Sequence, residues 1–111
     1  MSNPQEKRRF CRSEIAWPVT LMTSMGPMDG KIQNLGVDGA FIRCSGVPDL
    51  DECFRLIIRP GERQLLLANA EMVWSETFSS DDPMFYGMGV CFRYIVDDDR
   101  KFISDTLLKH A

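Results

Sequence analysis

The sequence has a single histidine, His110, next to last in the chain. It has no HExxH, no GxSxG and no Walker loop, so zinc hydrolysis, acyl transfer on a serine elbow and P-loop chemistry have no carrier here. The four cysteines, Cys11, Cys44, Cys53 and Cys91, include no two that lie two to four residues apart. A CxxC zinc or redox pair is therefore excluded, and reduced thiols, some of them buried, are expected. No DxDxDG spacing offers a calcium loop, and the expected metal and cofactor content is none. No apolar run approaches the roughly 18 residues of a membrane helix, and Met1 to Arg12 has no apolar core of a secretory leader. Direct membrane insertion is not expected, and the expected location is the cytoplasm. The net charge of −3 argues against a generally basic DNA or RNA binder. The chain reads as a non-enzyme.

What is present is one modest domain. The chain has 111 residues, 44% hydrophobic and 26% charged, which suits one ordinary globular core. Its charge is uneven. Residues 1–12 carry Lys7, Arg8, Arg9 and Arg12 against Glu6 alone, a balance of +3, which leaves −6 for the rest. An anionic partner would meet this leader, not the acidic body. The expected organisation is a disordered tail over 1–6 and a single domain over 7–111.

Alternating and β-rich runs separated by turn residues predict about six strands. They are Ile15–Met25, Lys31–Leu35, Ala40–Cys44, Cys53–Arg59, Gln64–Glu76 and Phe85–Tyr94. Pro18 predicts an edge position or an irregular start for the first. Gly26–Gly30 reads as a turn by composition, and Gly36–Gly39 as a second turn, with glycines where φ can be positive. Trp17, Phe41 and Trp74 sit at positions that suit the core. Gly87 and Gly89, two apart in a strand, leave room for a bulge or a close approach. The period then changes. Asp97, Asp98 and Asp99 suit a helix N-terminus, and Phe102, Ile103, Thr106, Leu107 and His110 recur at helical spacing, predicting a helix from about Asp98 to Lys109. The fold class is all-β, an antiparallel barrel or sandwich with a C-terminal α-helix packed on it.

Two segments could hold a ligand. Arg8 and Arg12 stand as RxxxR with Arg9 between them, and guanidinium forks pair with phosphate oxygens and with the O6/N7 edge of guanine. A solubilising basic tail would look the same. Asn34-Leu35-Gly36-Val37-Asp38-Gly39 reads as NxGxxG at a strand end, where Asn34 can donate and accept and Gly39 can let a ligand come close. A plain hairpin turn would also look the same.

Taken together, KRRFCR (Lys7 to Arg12), NLGVDGAFI (Asn34 to Ile42) and GMGVCF (Gly87 to Phe92) resemble, in order and separation, the three motifs of the PilZ domain family. These are bacterial receptor modules for cyclic di-GMP. The resemblance runs from about Glu6 to Leu108, and Trp74 at the end of a long strand suits it. It implies a six-stranded antiparallel β-barrel (PilZ-like, split-barrel) with a C-terminal helix. It also implies that Arg8 and Arg12 clamp the dinucleotide, that Arg9 assists by stacking or charge, that Asn34 bonds a guanine edge and that Gly39 shapes the turn. Lys7, just before RxxxR, would influence whether one ligand or a stacked pair is held. Gly36 stands where the family has serine. The missing hydroxyl is worth about 0.5–1.5 kcal/mol, up to about tenfold in affinity.

The expected function is a cyclic di-GMP receptor whose arginine arm folds over the bound ligand and signals to an unidentified protein partner or to a second copy, as a homodimer. The alternatives are an interaction module of the same fold that has lost ligand binding, and a single-stranded nucleic-acid barrel. The latter needs aromatics interleaved with basic residues on its strands.

Overall fold

Six strands close into one antiparallel barrel, and a single helix follows them. The computed structural model describes residues 13–61, 65–78 and 85–109. The proposed tail over 1–6, the arm residues Lys7, Arg8, Arg9 and Arg12, and also Cys11 and His110, lie outside the described residues.

The strands are β1 (Ser13–Thr23), β2 (Gly26–Leu35), β3 (Gly39–Cys44), β4 (Cys53–Ile58), β5 (Leu66–Phe78) and β6 (Phe85–Ile95); α1 spans Asp97–Lys109. Around the barrel the order is β1-β2-β3-β6-β5-β4, closed by Val19–Leu21 of β1 pairing with Leu56–Ile58 of β4. Closure removes the sheet edges that an open sheet would leave to aggregate.

Alternation fills the interior. Val19, Leu21, Ile32, Leu35, Ile42, Leu56, Ile58, Leu66 and Met88 are all buried, with the small Ala68 and Ala70 where β5 points inward. Helix α1 presses Ile103 and Leu107 onto this core, and Phe102 stacks on Trp17 with ring centroids 6.0 Å apart. Asp97, Asp98 and Asp99 occupy its first turn, where the helix dipole favours negative charge. Asp99 is buried there, and its Oδ2 accepts from the Leu67 N–H at 3.4 Å.

The structure corrects the sequence reading in three places. Gly26–Gly30 is not a turn. The chain reverses at Ser24-Met25, and β2 begins at Gly26, whose φ of 112° only glycine adopts readily. Pro27 is tolerated because this first part of β2 has β1 on one side only; pairing with β3 starts at Gly30. Neither glycine of the Gly36–Gly39 turn has a positive φ, since Gly26 and Gly61 are the only such residues among those described. Finally, Trp74 is not in the core: it lies outside the barrel, 48% exposed, while Trp17 and Phe41 are half-buried. Pro18 behaves as its chemistry requires. It follows a bulge between Glu14 and Trp17, and its carbonyl accepts from the Arg59 N–H at 2.9 Å.

Candidate functional site

The candidate site starts at Asn34, near the end of β2. Its backbone lies between Glu14 of β1 and Phe41 of β3. Phe41 pairs in turn with Gly89 of β6, and Gly89 with Trp74 of β5. Asn34, Phe41, Gly89 and Trp74 thus form one row across four strands. Ala40, Ile42 and Cys44 are buried in β3, so the alternation turns Phe41 and Arg43 outward.

Glycine at position 89 makes the row a shelf. A Cβ there would run into the Trp74 indole, whose atoms are its three nearest neighbours. With hydrogen in that place the indole lies directly on β6, and it stacks on Phe41 with centroids 5.4 Å apart and planes 22° from parallel. Trp74 reaches this face because a bulge between Met72 and Trp74 changes the phase of β5. The Gly87/Gly89 spacing therefore signals both of the features it suggests, a bulge opposite and a close approach.

The turn beside Asn34 is held from three directions. The Gly36 N–H donates to the Gly39 carbonyl at 2.8 Å, closing the turn, and the Phe92 N–H donates to the Asp38 carbonyl at 2.8 Å. From the helix, Arg100 Nη1 donates to the Val37 carbonyl at 2.9 Å and reaches Asp38 Oδ1 at 3.4 Å. Gly39 is required by space rather than by φ: a Cβ there would collide with the Val90 carbonyl oxygen of the neighbouring strand.

Of the residues singled out in the sequence, Asn34, Gly36 and Gly39 come together at this corner. Arg8, Arg9, Arg12 and Lys7 lie outside the described residues. The described chain enters the barrel at the same corner, Ser13 facing Leu35 and Glu14 facing Asn34. Sequence reasoning missed the shelf residues Phe41 and Trp74 as surface groups, and it missed Arg100. The outward phase of Phe41 was readable from its neighbours Ala40 and Ile42. Nothing local marks Trp74, because the bulge resets its phase. Arg100 gave no signal, since its partner is 62 residues away.

On the same face, Lys31, Gln33 and Asn34 line a cavity of about 510 Å³. Lys31 and Gln33 also line a neighbouring one of about 430 Å³ with Arg43 and Phe85. This surface can offer amide, ammonium and guanidinium donors beside stacked aromatic rings. No group of three or more metal-ligating side chains occurs among the described residues, and none of the described helices is long and apolar enough to cross a membrane.

Comparison with known proteins agrees with this geometry. The PilZ domain model matches residues 6–108. In sequence, none of the proteins of curated function matches. Among solved structures, the inhibitor of motility MotI/DgrA of Bacillus subtilis superposes with a TM-score of 0.80 at 13% identity, over 98% of this chain and 56% of that one. The present chain thus spans little more than half of that protein. The PilZ domain with c-di-GMP of YcgR from Escherichia coli gives 0.76 at 10% identity, over 94% and 91% of the two chains. YcgR in complex with c-di-GMP gives 0.71 at 9% identity, over 93% and 45%. At such identities these likenesses establish the fold, and the family match covers nearly the whole length: the chain belongs to the PilZ domain family.

Proposed function

We propose that this chain is a receptor for cyclic di-GMP, the ligand for which its family is known, and that the arginine arm closes over the ligand at the Asn34–Gly39 corner. One observation carries the reading: the row Asn34–Phe41–Gly89–Trp74 puts an amide that can bond a guanine edge beside a stacked aromatic shelf. Arg12 is bonded to Ser13, whose partner across the ladder is Leu35, next to Asn34.

In this reading Arg8 and Arg12 take phosphate oxygens and guanine edges, and Arg9 stacks or adds charge. Lys7 tunes whether one dinucleotide or a stacked pair is held, and Gly39 shapes the turn. Unliganded, the four cations of the arm repel one another. A doubly anionic ligand neutralises them, orders the arm and so presents a new surface to a protein partner or to a second copy. Gly36 favours the second reading, a PilZ module without ligand binding, because it removes the hydroxyl of the family's serine.

Isothermal titration with cyclic di-GMP tests this. Arg8→Ala and Arg12→Ala should each abolish measurable binding while leaving the thermal midpoint nearly unchanged. Normal binding by both variants would refute the arm assignment, and no binding by the unmodified chain would favour the second reading.

A further inference from the structure

One turn of the pleat beyond the shelf lies a second outward row: Lys31 on β2, Arg43 on β3, Gly87 on β6 and Glu76 on β5. Two residues along a strand is about 7 Å, so this row borders the shelf. Lys31 and Arg43 face each other directly across the β2–β3 ladder. Like charges in that relation destabilise a sheet, and neither cation is taken up by an ion pair among the described residues. The ion pairs formed among the described residues are Arg93 with Glu71, Arg100 with Asp38, and Lys101 with Asp105, and none involves this pair. Asp29, on the same cavity, and Glu76, across Gly87, are both exposed and bonded to neither cation.

Arg43 is nonetheless well placed. Its guanidinium carbon sits 3.8 Å from the centroid of the Phe85 ring, a buried aromatic. A guanidinium seated on a ring keeps its in-plane N–H groups for an acceptor, and the fork they form matches a phosphate. No protein acceptor takes those donors among the described residues. The cavity in front of the pair, about 430 Å³, shares Lys31 and Gln33 with the cavity at Asn34. The two cavities thus adjoin at Lys31 and Gln33.

We propose that Lys31 and Arg43 form a second phosphate seat, taking a phosphodiester of the guanine dinucleotide held at the Asn34 corner. The inference rests on the receptor reading above. The anion supplies the counter-charge that the β2–β3 ladder lacks, and Arg43, already fixed on Phe85, loses little freedom in binding it. Phosphate-bearing ligands are thereby selected over uncharged nucleosides.

The test is Lys31→Gln and Arg43→Gln in the full chain, titrated with cyclic di-GMP. Each variant should weaken binding about tenfold. The thermal midpoint of the unliganded Lys31→Gln protein should stay level or rise, since a repulsive pair is removed. Affinity within twofold of the unmodified chain for both variants would overturn the seat. The two readings separate by a second measurement. Should the unmodified chain bind no cyclic di-GMP, the receptor reading fails. The seat is then judged alone, by whether inorganic phosphate or GMP shifts the Arg43 Nε–H resonance; a shift supports it and no shift rejects it. A single-stranded oligonucleotide that binds through Lys31 and Arg43 while cyclic di-GMP affinity is unchanged would overturn the proposal in favour of nucleic-acid recognition.

Discussion

Gly89→Ala is the most informative single change to the shelf. The three atoms nearest to an added Cβ all belong to the Trp74 side chain, and the residue does not need a positive φ. The methyl therefore has one opponent, a ring that is half exposed and free to swing outward. Displacing it forfeits the stack on Phe41, worth about 0.5–1.5 kcal/mol beyond area, together with part of its contact with β6. Alanine in place of glycine in a strand returns up to about 1 kcal/mol. The net expectation is a loss of about 1 kcal/mol, or roughly 4 °C in midpoint for a domain of this size. With Trp74→Ala already present, the opponent is gone, and Gly89→Ala should be neutral or slightly stabilising. Urea denaturation of the two single variants and the double variant measures the coupling, expected at about 1–2 kcal/mol. An undiminished cost of Gly89→Ala in the Trp74→Ala background would refute the seat of the indole on β6.

Gly39→Ala should behave differently, because its opponent is a backbone carbonyl that cannot swing away. A loss of about 2–4 kcal/mol is expected in denaturant titrations, from crowding and the strained Phe92–Asp38 bond. Arg100→Ala removes a charged donor from the Val37 carbonyl and should cost about 1–2 kcal/mol by the same measurement, with weaker cyclic di-GMP binding as the turn loosens. The thiols should separate on alkylation at pH 8 followed by peptide mapping: exposed Cys53 reacts in the native protein, whereas Cys44, whose pKa burial pushes up to about 11, reacts only on unfolding. Because the fold holds the Cys44 thiol neutral, its contribution to stability is complete below about pH 9, the ordinary thiol value, and is lost progressively from there towards 11.

The barrel was legible because its signals are local. Alternation in β3 and β4, the glycines of β6 and the aspartates before α1 each act within a few residues, and their sum leaves few alternatives to six strands and a helix. The corner was half legible. Asn34, Gly36 and Gly39 are contiguous and gave a pattern, although the reason for Gly39 is the Val90 carbonyl of a strand some fifty residues later. Trp74 was misplaced into the core because hydrophobicity alone does not reveal a bulge, and one residue of phase decides which side of a barrel a ring occupies. With Trp74 outside, its stack with Phe41 forms a row next to that of Lys31 and Arg43. The Gly26–Gly30 segment misled for a related reason: its turn-like composition serves a strand that is paired on one side only.

The most direct measurement is a chemical-shift titration of the isotope-labelled chain with cyclic di-GMP. The account requires the largest shifts at the amides of Asn34, Gly39, Phe41 and Gly89, at the Trp74 indole N–H and at the arm from Lys7 to Arg12. Shifts confined to the other end of β5 and β6, around Leu67 and Tyr94, or an unchanged spectrum at saturating ligand, would contradict it.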